Sequence, residues 1–247
     1  MAGSRHSEIS KVKSALVTGG SRGIGLAIVN RFREAGWRVA ACARALEELA
    51  ECPAEFKFAC DVTDSEAVRD GVAAVVREFG TIDALVNNAG IANSNPLDAE
   101  ADDQLWHQII DVNLNGTYYV TKHAFPHIPD GGRIINIGSV LSHVGAADQT
   151  AYTAAKHAVL GFTRAFARHA ATRGVTVNAV CPGWVRTDMA RERWKELDID
   201  EPVAAEESPL GRIVEPAEVA SLVYFLASNE AGSITGQAFN IDGGILA

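Results

Sequence analysis

The chain has 247 residues, a formal net charge of −9 and 47% hydrophobic residues, which suits one α/β domain with a full core. Its 22 Lys and Arg are scattered rather than clustered, which argues against nucleic acid or an anionic membrane as the principal partner. The first dozen residues are polar and no later run approaches the ~18 apolar residues of a membrane span, so a cytoplasmic protein with a flexible segment over residues 1–12 is expected.

In chain order, an apolar run predicts a strand over 14–18, and helical spacing follows over 23–35. A strand over 38–43 leads into a short helical turn over 44–50, then a strand over 55–60 and a helix over 65–79. The strand over 84–87 precedes a long helical period over 102–127. A strand over 133–138, a helix over 151–172, a strand over 175–181, a helix over 216–226 and a strand over 237–241 complete the pattern. Strands separated by helices imply right-handed crossovers. The expected fold is therefore α/β: a single doubly wound Rossmann-type domain over 13–247, with a seven-stranded, mostly parallel sheet. Ligands of such a sheet sit beyond the carboxyl ends of its strands. Segment 184–209 is the one low-regularity stretch and reads as a mobile substrate lid.

Straight after the first strand comes Thr18-Gly19-Gly20-Ser21-Arg22-Gly23-Ile24-Gly25, opening the first helix. Glycines there let a pyrophosphate approach the backbone, and the helix dipole favours its charge. Further on, Tyr152 and Lys156 stand four apart in a helical stretch, thirteen residues after Ser139. Residues at i and i+4 share one helix face, so the Lys156 ammonium is expected beneath the Tyr152 ring, favouring the phenolate. Lowering a tyrosine pKa by about three units takes about 4 kcal/mol of differential stabilisation. Ser139 stands at the end of the fifth strand, where it could hydrogen-bond an oxygen shared with Tyr152; taken alone it would be a turn residue. The four cysteines form no CxxC pair or Cys/His cluster and read as reduced core thiols, and the histidines show no metal spacing.

With Asn87-Asn88-Ala89-Gly90, Asn113, Ser139, Tyr152-x-x-x-Lys156 and Pro182-Gly183-Trp184-Val185-Arg186-Thr187 in this order, the chain resembles the short-chain dehydrogenase/reductase family from about Ser14 to Gly244. Within it, Ala41-Cys42-Ala43-Arg44 and the stretch Thr176 to Gly183 are most similar to bacterial β-ketoacyl and polyketide ketoreductases. The resemblance implies an oxidoreductase with a catalytic set of Asn113, Ser139, Tyr152 and Lys156. Tyr152 would protonate the forming alkoxide, Lys156 would also hold the nicotinamide ribose, and Asn113 would support a water relay; the alternative for Asn113 is an asparagine that kinks its own helix.

Cofactor choice turns on the end of the second strand. An acidic residue there would accept from a ribose 2′-hydroxyl, but Ala43 and Arg44 stand in its place, which biases the chain toward NADP(H), with Arg22 as a second cation. The remaining cofactor contacts implied are Gly19, Ser21, Gly23, Ile24, Gly25, Asp61, Val62, Asn87, Ala89, Gly90, Pro182, Gly183, Val185 and Thr187. Asp61 would meet the adenine amino group, or else cap the helix that follows.

Val140, Leu141, Trp184, Met189 and Trp194 are candidates for apolar substrate walls, with His143 and Gln149 as polar contacts. Asp130 stands where fatty-acid members of the family tend to be basic, while Arg173 keeps the other basic position, so docking of an acyl-carrier protein is in doubt. The leading expectation is an NADP(H)-dependent carbonyl reductase or alcohol dehydrogenase acting on a ketone, including a β-keto thioester or polyketide-like ketone. The alternatives are a catabolic dehydrogenase of a cyclic or aryl secondary alcohol and a non-catalytic NADP(H) sensor. Family likeness also implies a homotetramer.

Overall fold

The computed structural model describes residues 12–98 and 101–247, so most of the segment expected to be flexible, residues 1–11, lies outside the described residues. Seven strands, β1 (Ser14–Thr18), β2 (Arg38–Ala43), β3 (Phe56–Ala59), β4 (Ala84–Asn87), β5 (Arg133–Ile137), β6 (Thr176–Pro182) and β7 (Ala238–Ile241), form one sheet in the order β3-β2-β1-β4-β5-β6-β7. Every strand pairing is parallel. All residues of β1, β5 and β6 are buried, as a sheet covered on both faces requires.

Alternation along the strands separates two cores. Ala15 and Val17 of β1, with Val39 and Ala41 of β2, meet Ile28, Val29 and Phe32 of α1 (Gly23–Glu34) and Val219, Val223 and Leu226 of α8 (Pro216–Ala227). Leu16, Ala40 and Cys42 point the other way, toward Val68, Val72 and Val75 of α2 (Ser65–Phe79) and toward α4 (Gly116–Ala124) and α5 (Thr150–Ala170). A period of two is what a strand imposes on its side chains.

Two stretches differ from the sequence expectation. The helix expected over 102–127 is α3 (Asp103–Ile110), a wide turn over Asp111–Asn115 with i→i+5 character, and α4, ending in a tight turn over Phe125–His127. Segment 184–209 is not irregular: it carries α6 (Asp188–Glu196) and α7 (Glu201–Glu206). Both start on side-chain caps, Thr187 accepting from Ala190 N at 3.3 Å and Asp200 from Val203 N at 3.1 Å. Their short, highly charged sequences hide the helical period, while the caps and Pro202 in the first turn of α7 were the legible signal.

Between β4 and β5 runs a buried polar ladder. Asn87 Nδ2 donates to Thr121 Oγ1 (2.9 Å) and Asn136 Oδ1 (2.8 Å), and Asn136 Nδ2 donates to Thr163 Oγ1 (2.9 Å). It ties both strands to α4 and α5 by bonds that are directional, unlike apolar packing, and so holds the register of the elements carrying Asn113 and Tyr152. The four cysteines are free and buried. No helix among the described residues is long and apolar enough to cross a membrane.

Candidate active site

The chain order reverses direction between β1 and β4, and a cleft of about 620 Å³ opens over the carboxyl ends there. One end is built by the glycine turn. Gly19 and Gly23 have φ of +64° and +54°, and a Cβ at Gly25 would collide with the carbonyl oxygen of Gly19. Asn88 clamps the turn from β4, its Nδ2 donating to the carbonyls of Thr18 (2.9 Å) and Gly19 (3.0 Å), while Thr18 Oγ1 accepts from Asn88 N and Ala89 N. Arg22 precedes α1 without a side-chain cap, and the first turn of α1 has no acidic residue, so the amide N–H groups there suit an anion.

Arg22 and Arg44 line this end, both exposed, and neither pairs with a carboxylate among the described residues. Ser21, Ile24, Val62, Ala89 and Gly90 line it as well. Asp61 also faces the cleft, its Oδ1 accepting from Thr63 N and Oγ1, and the cap of α2 is Asp64 instead. Cys42 and Cys60 reach the same wall. Asn87 is not among the residues lining the cleft: its Nδ2 is engaged in the buried ladder, and the neighbouring Asn88 lines the opening. Alternation along a strand puts only one of two adjacent asparagines on each side.

At the middle of the cleft stand Ser139, Tyr152, Lys156 and Asn113. Lys156 is 4% exposed; its Nζ donates to the carbonyl of Ile137 at 2.8 Å and lies 5.4 Å from the centroid of the Tyr152 ring. Burial pushes the Lys156 ammonium down to about 8. Tyr152 is half-buried, and burial around its phenol pushes its pKa up to about 12, with the Ser139 hydroxyl acting in the opposite direction as a hydrogen-bond partner. The shift of Tyr152 is thus upward, with desolvation of the phenolate as its largest cause, where a lowering was expected. Asn113 sits in the wide turn; its Nδ2 donates to the carbonyls of Ile91 (2.8 Å) and Ile109 (2.9 Å). Its Oδ1 is buried without a partner, and a Cβ on Gly90 would come within 2.7 Å of it and 3.7 Å of Lys156 Nζ.

The far end is apolar, with Val140, Leu141, Trp184 and Met189 on its walls and Gln149 beside them. His143 is exposed and does not line the cleft. Trp194 is buried against Ala190, Ala204 and Ile213, anchoring α6 and not lining the cleft. Unforeseen lining residues are Val144, Ala146, Asp148, Arg193, Leu197, Glu207 and Ile245. Arg193, 8% exposed, pairs with Asp148 and with Glu196 (2.8 Å), and Trp184 Nε1 donates to Glu207 Oε2 at 2.8 Å. The Arg193–Asp148 and Trp184–Glu207 partners lie far apart in sequence, so spacing carried no signal for them. Pro182, Gly183, Val185 and Thr187 line the cleft where β6 ends, and the Thr187 hydroxyl also caps α6.

Glycine cradle, uncapped helix start and two arginines without a carboxylate partner together fit a dinucleotide carrying an extra phosphate. A family model described as enoyl-(acyl carrier protein) reductase matches residues 19–246. The acetoacetyl-CoA reductase of Shinella zoogloeoides is 42% identical over 236 residues, covering 93% of this chain and 97% of that protein. The 3-oxoacyl-acyl-carrier-protein reductase FabG of Vibrio harveyi is 43% identical over 242 residues, covering 94% and 97%. Among solved structures, a variant actinorhodin polyketide ketoreductase with NADPH superposes with a TM-score of 0.88 at 39% identity, covering 95% of this chain and 97% of that one. The chain is an oxidoreductase and belongs to the short-chain dehydrogenase/reductase family.

Proposed function

We propose that the protein is an NADP(H)-dependent carbonyl reductase in which Tyr152 gives the proton. The observation that carries this reading is the convergence of Ser139, Tyr152 and Lys156 midway between a phosphate-suited end and an apolar end of one cleft. Nicotinamide supplies a hydride when the cofactor is bound. Arg44 and Arg22 hold the extra phosphate, and the N–H groups at the start of α1 hold the pyrophosphate. The Ser139 hydroxyl and the Tyr152 hydroxyl meet the substrate oxygen from two directions and fix its orientation. As that oxygen gains charge, Tyr152 passes its proton to it; a phenol held up near 12 is a protonated acid throughout the working range. Lys156, charged below about 8, stabilises the phenolate left behind, and the free Asn113 Oδ1 suits a water that returns the proton from solvent.

The relatives named for acetoacetyl-CoA and 3-oxoacyl groups support a β-keto thioester as the substrate class. Arg173 is tied to Asp130 at 3.0 Å and to backbone carbonyls of Phe125 and Ile128, so its charge is spent internally. That favours a coenzyme A thioester or a free ketone over a carrier-bound chain. The apolar far end also suits a cyclic or aryl secondary alcohol, run in the oxidative direction through the same residues. Segment 184–209 acts as the lid, and the assembly is a homotetramer pairing through α4, α5, α8 and β7, where Tyr118 and Phe225 are exposed.

Following nicotinamide absorbance with NADPH against β-keto thioester, aliphatic, cyclic and aryl ketones, Tyr152→Phe should lose on the order of 10²–10⁴-fold in kcat while still binding NADPH. Full turnover in that variant would discard the assignment. Arg44→Ala should weaken NADPH by roughly ten- to hundredfold and leave NADH nearly untouched, because one charge-assisted contact is worth about 1.5–3 kcal/mol; an unchanged NADPH/NADH preference would defeat the cofactor argument. Because Lys156 is charged below about 8 and loses its proton above, reduction should decline as pH rises through that value, and Lys156→Arg should remove that limb. A flat rate across this range would exclude the role given to the ammonium. Light scattering that returns a stable monomer would rule out the tetramer.

A further inference from the structure

Ser139 is the N-cap of a single helical turn, Val140–Ser142, at the end of β5. Its Oγ accepts from Leu141 N at 3.1 Å, which occupies one lone pair and leaves the hydroxyl proton free to donate. Its backbone N–H is taken by Ser142 Oγ at 3.2 Å, and the Ser142 N–H returns to the Ser139 carbonyl at 2.8 Å. Ser142 is 3% exposed and does not line the cleft.

Behind Ser142 lies Cys181 of β6, fully buried. Gly138 completes the fit: a Cβ there would come 2.8 Å from Cys181 Sγ and 3.0 Å from Ser142 Oγ, so only a glycine lets both side chains close on the strand end. Gly138 N donates to Val180 O at 2.7 Å and anchors this point to β6. A three-residue turn gains little stability from reciprocal capping. What the capping does set is the backbone orientation of the residue at its head, and hence where the Ser139 hydroxyl points.

We propose that Ser142 is a positioning residue, whose hydroxyl, backed by Cys181 across Gly138, clamps the Ser139 backbone and aims the Ser139 hydroxyl at the oxygen that reacts. This rests on the reading of Ser139 as a hydrogen-bond partner of the substrate carbonyl. Ser142 touches neither substrate nor cofactor, and it acts only through Ser139.

The test is a double-mutant cycle on the full chain, reading kcat with the ketone turned over fastest and the NADPH dissociation constant from tryptophan fluorescence. Ser142→Ala should lower kcat roughly ten- to hundredfold, the scale of loss from a misaimed group, while NADPH affinity stays within about twofold. Added to Ser139→Ala, it should lower kcat by less than about twofold further, because the aim of an absent hydroxyl has no consequence. Multiplicative losses in the double variant, or a wild-type kcat in Ser142→Ala, overturn the proposal. If Ser142→Ala does not fold, Ser142→Cys, which keeps a weaker acceptor in nearly the same volume, must show the same non-additive loss. Full turnover in Ser139→Ala would instead overturn the underlying reading of Ser139, an outcome distinct from failure of Ser142 alone.

Discussion

A lysine ammonium buried at the end of β5, donating to the carbonyl of Ile137 at 2.8 Å, is the interaction around which the centre of the cleft is arranged. Taking an ammonium out of water is expensive unless fixed dipoles replace its hydration, and here one backbone carbonyl does so from a rigid strand. The strand is rigid because Ile137 is paired with Val180 of β6 and packed on the α8 side of the sheet. Lys156 is therefore held by the sheet and by its own helix, with its Nζ 5.4 Å from the Tyr152 ring centroid. Burial that lowers the lysine also raises the tyrosine, so the pair meets the cleft as a cation on the verge of losing its proton beside a firmly protonated phenol.

Much of this was legible in the chain before any coordinates. β1, β2 and β4 span the residues expected of them, because each carries an apolar stretch buried in the sheet. The glycine turn and the four-residue interval of Tyr152 and Lys156 were legible because each depends on local geometry alone. Three kinds of information were not. Which of two adjacent asparagines faces the cleft depends on strand phase, and Asn88, not Asn87, does. Whether a tryptophan walls a pocket or anchors a helix depends on tertiary packing, and Trp194 anchors. The sign of the Tyr152 shift depends on how much protein surrounds the phenol, which spacing does not contain.

The far end of the cleft is closed by polar ties across apolar walls. Asp148 binds Arg193 of α6 through its side chain, while its carbonyl accepts from Asn95 N at 2.6 Å, so α6, the segment before α5 and the chain after β4 meet at one residue. Trp184 and Glu207 join the two ends of segment 184–209. Arg193 is thereby committed to Asp148 and Glu196 and brings no free positive charge to a substrate. Val140, Leu141, Val144 and Met189 give this end apolar walls, with Asp148 and Glu207 at their edge.

Asn113 shows how the fold accepts a local defect at the centre. A regular helix would carry α3 straight into α4, but over Asp111–Asn115 the helix widens by one residue per turn. There the Asn113 amide donates back to Ile109 O, four residues earlier, and across to Ile91 O, competing with the helix's own bonds and fixing the side chain on both donor hydrogens. Only the amide oxygen is left, buried, unpartnered and close to the gap that Gly90 keeps open beside Lys156. An orphaned acceptor costs about 1–3 kcal/mol in a protein interior. A water bonded to this oxygen would offset that cost. The stretch that interrupts the regular helix thus leaves one unpartnered oxygen facing the gap beside Lys156.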